Sequence, residues 1–173
     1  MSADKEKAIL NVTQDMVRQG GYNGFSFRNI AAAVGIKSSS VHYHFATKED
    51  LAAAVARNYT DDFLLSLGEP VALKQQGENP VGVYIEAFRG AVAEDKGMCL
   101  CGMLAAESDV IPESVAHETR EFFRRNIEWL ESAFIGTYNL QLLALMLYGL
   151  SLLFSTARKR KWLKLAGVFL LFL

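Results

Sequence analysis

The sequence predicts an all-α protein: an N-terminal three-helix head carrying a helix-turn-helix, set on a C-terminal helical bundle. Three observations carry that prediction. Apolar residues recur at helical spacing, and no run shows the apolar–polar alternation of a half-buried strand. Only three prolines interrupt 173 residues. The stretch 26–48, SFRNIAAAVGIKSSSVHYHFATK, reads as two short helices joined by a glycine turn. With 51% hydrophobic residues the chain can bury one sizeable core or two small ones.

The elements follow in order. A first helix is expected over 3–19, burying Ile9, Val12, Met16 and Val17 and turning Lys5, Glu6, Lys7, Asp15 and Arg18 to water. Gly20-Gly21 ends it, and Tyr22-Asn23-Gly24 forms a turn. Ser26 is the candidate N-cap of the second helix, whose inward stripe is Ile30, Ala31 and Val34. Ala31 and Ala32 are small enough to let two helices cross closely. Gly35 supplies the sharp turn, Ile36 points inward, and the serines 38–40 offer hydroxyls to open the third helix. Thr47 and Asp50 have capping-box spacing at the start of a fourth helix. That helix runs to about Leu67 through Leu51, Val55, Tyr59 and Phe63.

Beyond Gly68-Glu69-Pro70, residues 70–79 read as a polar loop. Pro80 opens a helix to about residue 94 through Val83, Tyr84, Ala87, Phe88 and Ala91. A short apolar helix is expected over 98–107, then a long amphipathic one from Ile111-Pro112-Glu113 to Phe134. The apolar stripe of the long helix is broad enough to meet its own bundle on one side and a partner subunit on the other. Residues 140–157 are almost continuously apolar, 158–161 are basic, and 165–173 are apolar again. The resulting division is a head over 1–48, a linking helix over 47–67, and a helical domain over 68–173.

Chemistry gathers on the third helix. Its outward positions are expected to carry Lys37, Ser38, Ser39, Ser40, His42 and His44, side chains that suit phosphates and base edges. From Gly20 to Lys48 the chain has Arg28, Lys37 and Lys48 and no Asp or Glu. The whole chain carries 18 basic and 19 acidic residues, so any affinity for a polyanion must come from such a local patch. Lys48 falls in the first turn of the fourth helix, where the helix dipole disfavours a cation unless an anion lies near.

These residues resemble the N-terminal domain of TetR-type transcriptional regulators. The similarity is carried by Ser26 and Arg28, Ile30-Ala31, Gly35-Ile36, His42-Tyr43-His44-Phe45 and Thr47-Lys48-Glu49-Asp50-Leu51, and is specific over about residues 5–65. Lys37 stands where the family usually has Ser or Thr, which moves the expected cap of the third helix to Ser38, and His42 replaces a tyrosine. The resemblance implies a cytoplasmic homodimer joined through its C-terminal helices, a double-stranded DNA operator as partner, and release by a small-molecule effector. Phosphate contacts are then expected from Ser26, Arg28, Tyr43, His44 and Lys48, and base-edge contacts from Lys37, Ser38, Ser39, Ser40 and His42.

For an effector site the bundle offers Tyr84, Phe88, Met98, Cys99, Met103, Leu104, Glu107, Phe122, Asn126 and Trp129, large apolar side chains with few polar ones. Ordinary core packing is the competing reading of the same residues. Cys99 and Cys101 lack the partners of a tetrahedral metal site, and two cysteines without a scaffold of others suit a reducing compartment. They read as buried apolar residues or, alternatively, as thiols facing a ligand or oxidant. No Gly-rich phosphate loop, nucleophile elbow or HExxH is present, so neither enzyme chemistry nor a cofactor is expected. His117 is expected in solvent. The charged N-terminus has no apolar signal core. An alternative is a membrane-attached helical protein anchored through 140–173; Gly149 and scattered polar residues make 140–157 a marginal span, and the family resemblance implies instead last helices that pair with their copies from a second subunit.

Overall fold

The computed structural model describes residues 2–92 and 98–135. Expectations placed on 93–97 and 136–173, including the subunit-pairing helices and the alternative anchor, lie outside the described residues. Among the described residues there are eight α-helices, one 3₁₀ turn and no strand.

Helix α1 (Ser2–Gly20), α2 (Phe27–Val34) and α3 (Ser38–His44) make the head, and α4 (Lys48–Leu67) runs from it into the body. Local chemistry explains each boundary. The Ser26 hydroxyl accepts the Asn29 amide at the start of α2. Gly35 ends α2 at φ 75°, a left-handed conformation in which a Cβ is strained. Thr47 and Asp50 cap α4 reciprocally, each side chain accepting the other's backbone N–H.

Two boundaries differ from expectation. The N-cap of α3 is Lys37, not Ser38; Lys37 caps without its side chain, and its carbonyl accepts the Ser40 amide. All three serines therefore lie inside the helix with their hydroxyls free of a capping role. Residues 70–79 are not wholly loop, because α5 (Pro70–Gln75) opens there with proline at its first position, where the missing N–H costs nothing.

The body continues with α6 (Pro80–Val92), α7 (Leu100–Ala106) and α8 (Glu113–Phe134). Helices α4 and α8 pack along one another most extensively. Ion pairs brace that crossing, Arg57 to Glu118 and Arg125 to Asp61, each at 2.6 Å. The Trp129 indole N–H donates to the Gly68 carbonyl at 2.8 Å, and the Lys74 ammonium to the Ile135 carbonyl at 2.6 Å. One continuous core serves head and body. It runs from Ile9, Ile30, Val41 and Phe45 through Leu51 and Val55 to Leu104, Val115 and Phe122.

Candidate nucleic-acid interface and body core

The head presents α3 outward. Val41 and Phe45 anchor its inner side, and Ile30 and Ala31 close beneath it from α2. On the outer side Lys37, Ser38, Ser39 and His42 are exposed and Ser40 is half-buried. Tyr43 is 82% exposed, an unusual position for a large ring, and meets the His44 ring edge-on at 5.4 Å. Ser26 and Arg28 are exposed at the start of α2. His42 is steadied by an edge-on contact with the Phe27 ring, 4.5 Å between centroids.

His44 departs from expectation. Its side chain is only 7% exposed, and its Nδ1 lies 3.6 Å from the Glu6 carboxylate of α1. At the end of a seven-residue helix its position has rotated toward α1 and away from the serine face. The stretch that holds no acid in sequence thus has one beside it in space.

Lys48 is not loose in solvent. Its ammonium lies 4.9 Å from the Tyr22 ring centroid and 4.7 Å from that of Phe25, and these two rings meet edge-on. Contact with ring faces holds the cation at the junction of α4 with the turn after α1. Nothing in the sequence ties Tyr22 or Phe25 to Lys48, which follows them by more than twenty residues.

Arg18 also corrects expectation. It is 7% exposed rather than solvated, donating through Nε to the Met98 carbonyl at 3.2 Å and through Nη2 to the Ala91 carbonyl. His117 is exposed, as its sequence context implies.

In the body, aromatic residues from α4, α6 and α8 meet. Phe63 touches Tyr84, Phe88 and Phe122 at centroid separations of 5.9 to 6.2 Å, and Tyr84 touches Trp129 at 5.7 Å. The Tyr84 hydroxyl donates to Asn126 Oδ1 at 3.1 Å, and Asn126 Nδ2 donates to the Phe122 carbonyl at 2.7 Å. Tyr84, Phe88, Phe122, Asn126 and Trp129 are thereby brought together, with Phe63 and Tyr59, which sequence patterning assigns simply to the stripe of α4. Leu104 is buried against the same core, and Met98 and Met103 are half-buried. Glu107 instead turns toward the head, where its Oε2 accepts the Tyr22 amide at 2.7 Å. Beside Trp129 an open cleft of about 520 Å³ is lined by Leu64, Leu65, Pro70, Arg125 and Ser132.

Cys99 and Cys101 are both buried free thiols. Cys99 caps α7, its sulfur accepting the Gly102 amide at 3.2 Å. Burial pushes both thiols above their ordinary range, and proximity to Cys99 adds to the effect on Cys101. Such thiols are inert rather than activated. Burial also raises the Tyr59 and Tyr84 hydroxyls. Among the described residues no cluster of His, Cys, Asp or Glu could hold a metal ion, and no helix is long and apolar enough to cross a membrane.

A short hydroxyl-rich helix held outward by a compact head defines a helix-turn-helix protein. A family model described as bacterial regulatory proteins, tetR family, matches residues 9–55. The crystal structure of a TetR transcriptional regulator from Legionella pneumophila is 30% identical, aligning 94% of this chain with 86% of its own at a TM-score of 0.71. A TetR-family regulator from Agrobacterium tumefaciens is 29% identical over 78% of this chain and 71% of its own, with a TM-score of 0.65. The HTH-type transcriptional regulator RutR of Escherichia coli is 36% identical over 63 residues, which is 36% of this chain; the match spans only 30% of RutR. The chain belongs to the TetR family of bacterial transcriptional regulators.

Proposed function

We propose that this protein is a ligand-responsive repressor that binds a palindromic operator as a homodimer and is released by a small-molecule effector. The observation that carries the reading is the outer face of α3, where Lys37, Ser38, Ser39, His42 and the 82% exposed Tyr43 offer donors, acceptors and a ring to a duplex. Ser26, Arg28 and Lys48 lie on the flanking elements and supply the phosphate contacts, which position the head without reading sequence. Ser38, Ser39 and Ser40 have hydroxyls unused by capping and supply base-edge contacts. His44, turned toward Glu6, contributes through the placement of α3.

The effector site is the aromatic cluster of Tyr84, Phe88, Phe122, Asn126 and Trp129, with Cys99, Met103 and Leu104 around it. Its rings are in mutual contact, so an effector enters by parting them and favours the conformer in which they are parted. The cleft beside Trp129 offers an approach. Dimerisation runs through the C-terminal helices, which leaves two α3 faces to meet two half-sites. The protein acts in the cytoplasm, as a regulator of genes must, and not as an enzyme.

The test is selection of bound duplexes from a random library by the full chain, followed by fluorescence anisotropy on the enriched sequence. Enrichment of a palindrome is expected, with affinity falling steeply with salt. Ser39→Trp should abolish binding while the melting temperature stays unchanged. A library that yields no enriched sequence, or a protein indifferent to duplex at low salt, overturns the reading.

A further inference from the structure

The end of α1 is tied to the body at two points, and both lie on the α6–α7 region. Arg18, itself buried, reaches the carbonyls of Ala91 in α6 and Met98 just before α7. At the other end of α7, Glu107 accepts the Tyr22 amide at 2.7 Å. The approach there is close. Gly21 sits at φ 68°, and a Cβ on it would lie 2.1 Å from Glu107 Oε1. The head therefore grips α7 before its first turn and after its last.

The same turn continues toward the duplex-facing side. The ring of Tyr22, whose amide Glu107 holds, carries the Lys48 ammonium together with Phe25. On its inner side α7 buries Leu100, Cys101 and Leu104 against α4 and α8. We propose that Arg18 and Glu107 form a two-point clasp that fixes the head on the body and passes the position of α7 to the helix-turn-helix. Among the described residues Arg18 bonds the backbone carbonyls of Ala91 and Met98, and Glu107 bonds a backbone amide, so each of these bonds follows main-chain position on one side. Hydrogen bonds weaken steeply with distance and angle, so a displacement of about 1 Å at α7 releases them. In this proposal the clasped arrangement is the one that binds the duplex. Arg18 and Glu107 are positioning residues; neither touches DNA. The role of the clasp in DNA binding rests on the function proposed above, while its role in holding the head does not.

The test compares Glu107→Ala with Glu107→Gln, which keeps an acceptor for the Tyr22 amide. Hydrogen exchange on the full chain should speed at Tyr22 and across α2 and α3 by about tenfold in Glu107→Ala, with α8 unchanged and near-parent protection in Glu107→Gln. Should Glu107→Ala fail to fold, Glu107→Met keeps the side-chain bulk without the acceptor. In anisotropy on the selected duplex, Glu107→Ala should weaken affinity several-fold with the parent's salt slope, since no phosphate contact is lost. Exchange that stays parent-like in α2 and α3, or rises equally in α8, overturns the clasp. Weakened head protection with unchanged affinity overturns its role in DNA binding. If the parent itself binds no duplex, the proposed function fails and the exchange result still decides the clasp.

Discussion

Lys48 offers the sharpest division between a contact to DNA and a contact within the fold. Its ammonium is held between the Tyr22 and Phe25 rings, in the first turn of a helix whose own first-turn acids are Glu49 and Asp50. Lys48→Met keeps most of the stem and removes the charge. Loss of a cation over rings in a partly exposed setting costs about 0.5–1 kcal/mol. For a chain of this size that lowers the melting temperature by about 1–4 °C. If each Lys48 of a dimer also neutralises one phosphate, the slope of log affinity against log salt falls by about 1.8 in magnitude, or about 0.9 per head. Anisotropy on the selected duplex between 50 and 200 mM salt, as about the range over which such slopes are measured, gives the number directly. A slope equal to the parent's beside a lowered melting temperature would refute the phosphate role and leave Lys48 as a bridge between α4 and the turn after α1.

The hydrogen bond between Tyr84 and Asn126 is buried among rings, so Tyr84→Phe strands an acceptor and should cost about 1–3 kcal/mol. The same change made on top of Asn126→Leu should be nearly neutral; additive losses in urea unfolding would mean the two side chains act independently. The thiols predict a pH dependence. Burial holds Cys99 and Cys101 above the ordinary thiol range, so they stay neutral in the fold while unfolded thiols ionise. Their contribution to stability is complete below about pH 8 and is lost as pH rises past about 8.5, at up to about 1.4 kcal/mol per thiol per pH unit. Urea midpoints at about pH 7.5 and 9.5 should fall further in the parent than in Cys99→Ala/Cys101→Ala, the fall that ionising unfolded tyrosines cause being common to both. Equal falls would remove the thiols as the cause.

What the sequence made legible was local. Ser26, Gly35, Thr47 and Asp50 act on backbone within a few residues, so the boundaries of α2 and α4 follow from chemistry visible in a short window. The burial of Ile30, Val41, Leu51 and Phe122 likewise follows from helical periodicity. Errors arise where a residue has two local uses. Pro70 ends one helix and opens another, and serines that could cap α3 lie one position too late to do so. His44 shows the limit of reading faces on a seven-residue helix, where a small rotation exchanges solvent for Glu6. Arg18, Glu107 and the rings over Lys48 were illegible for a different reason. Arg18 meets carbonyls more than seventy residues away, and Glu107 meets an amide 85 residues away. A backbone partner leaves no trace in side-chain pattern, since every residue but proline offers the same amide.

The same reasoning explains why the turn at Tyr22–Gly24 matters more than its composition suggests. A turn of three residues buries little and could be replaced by many sequences of similar shape. Here its first residue is used twice, by its amide toward Glu107 and by its ring toward Lys48. The glycine before it is fixed both by its left-handed φ and by the carboxylate lying where a side chain would be. A short segment with two engaged ends cannot adjust to one partner without moving the other. Body and duplex-facing surface therefore meet at a segment too small to absorb a displacement, whereas the long α4 can bend slightly over its twenty residues. With the clasp proposed above, the turn after α1, and not the linking helix alone, would convert a change in the body into a change in the head.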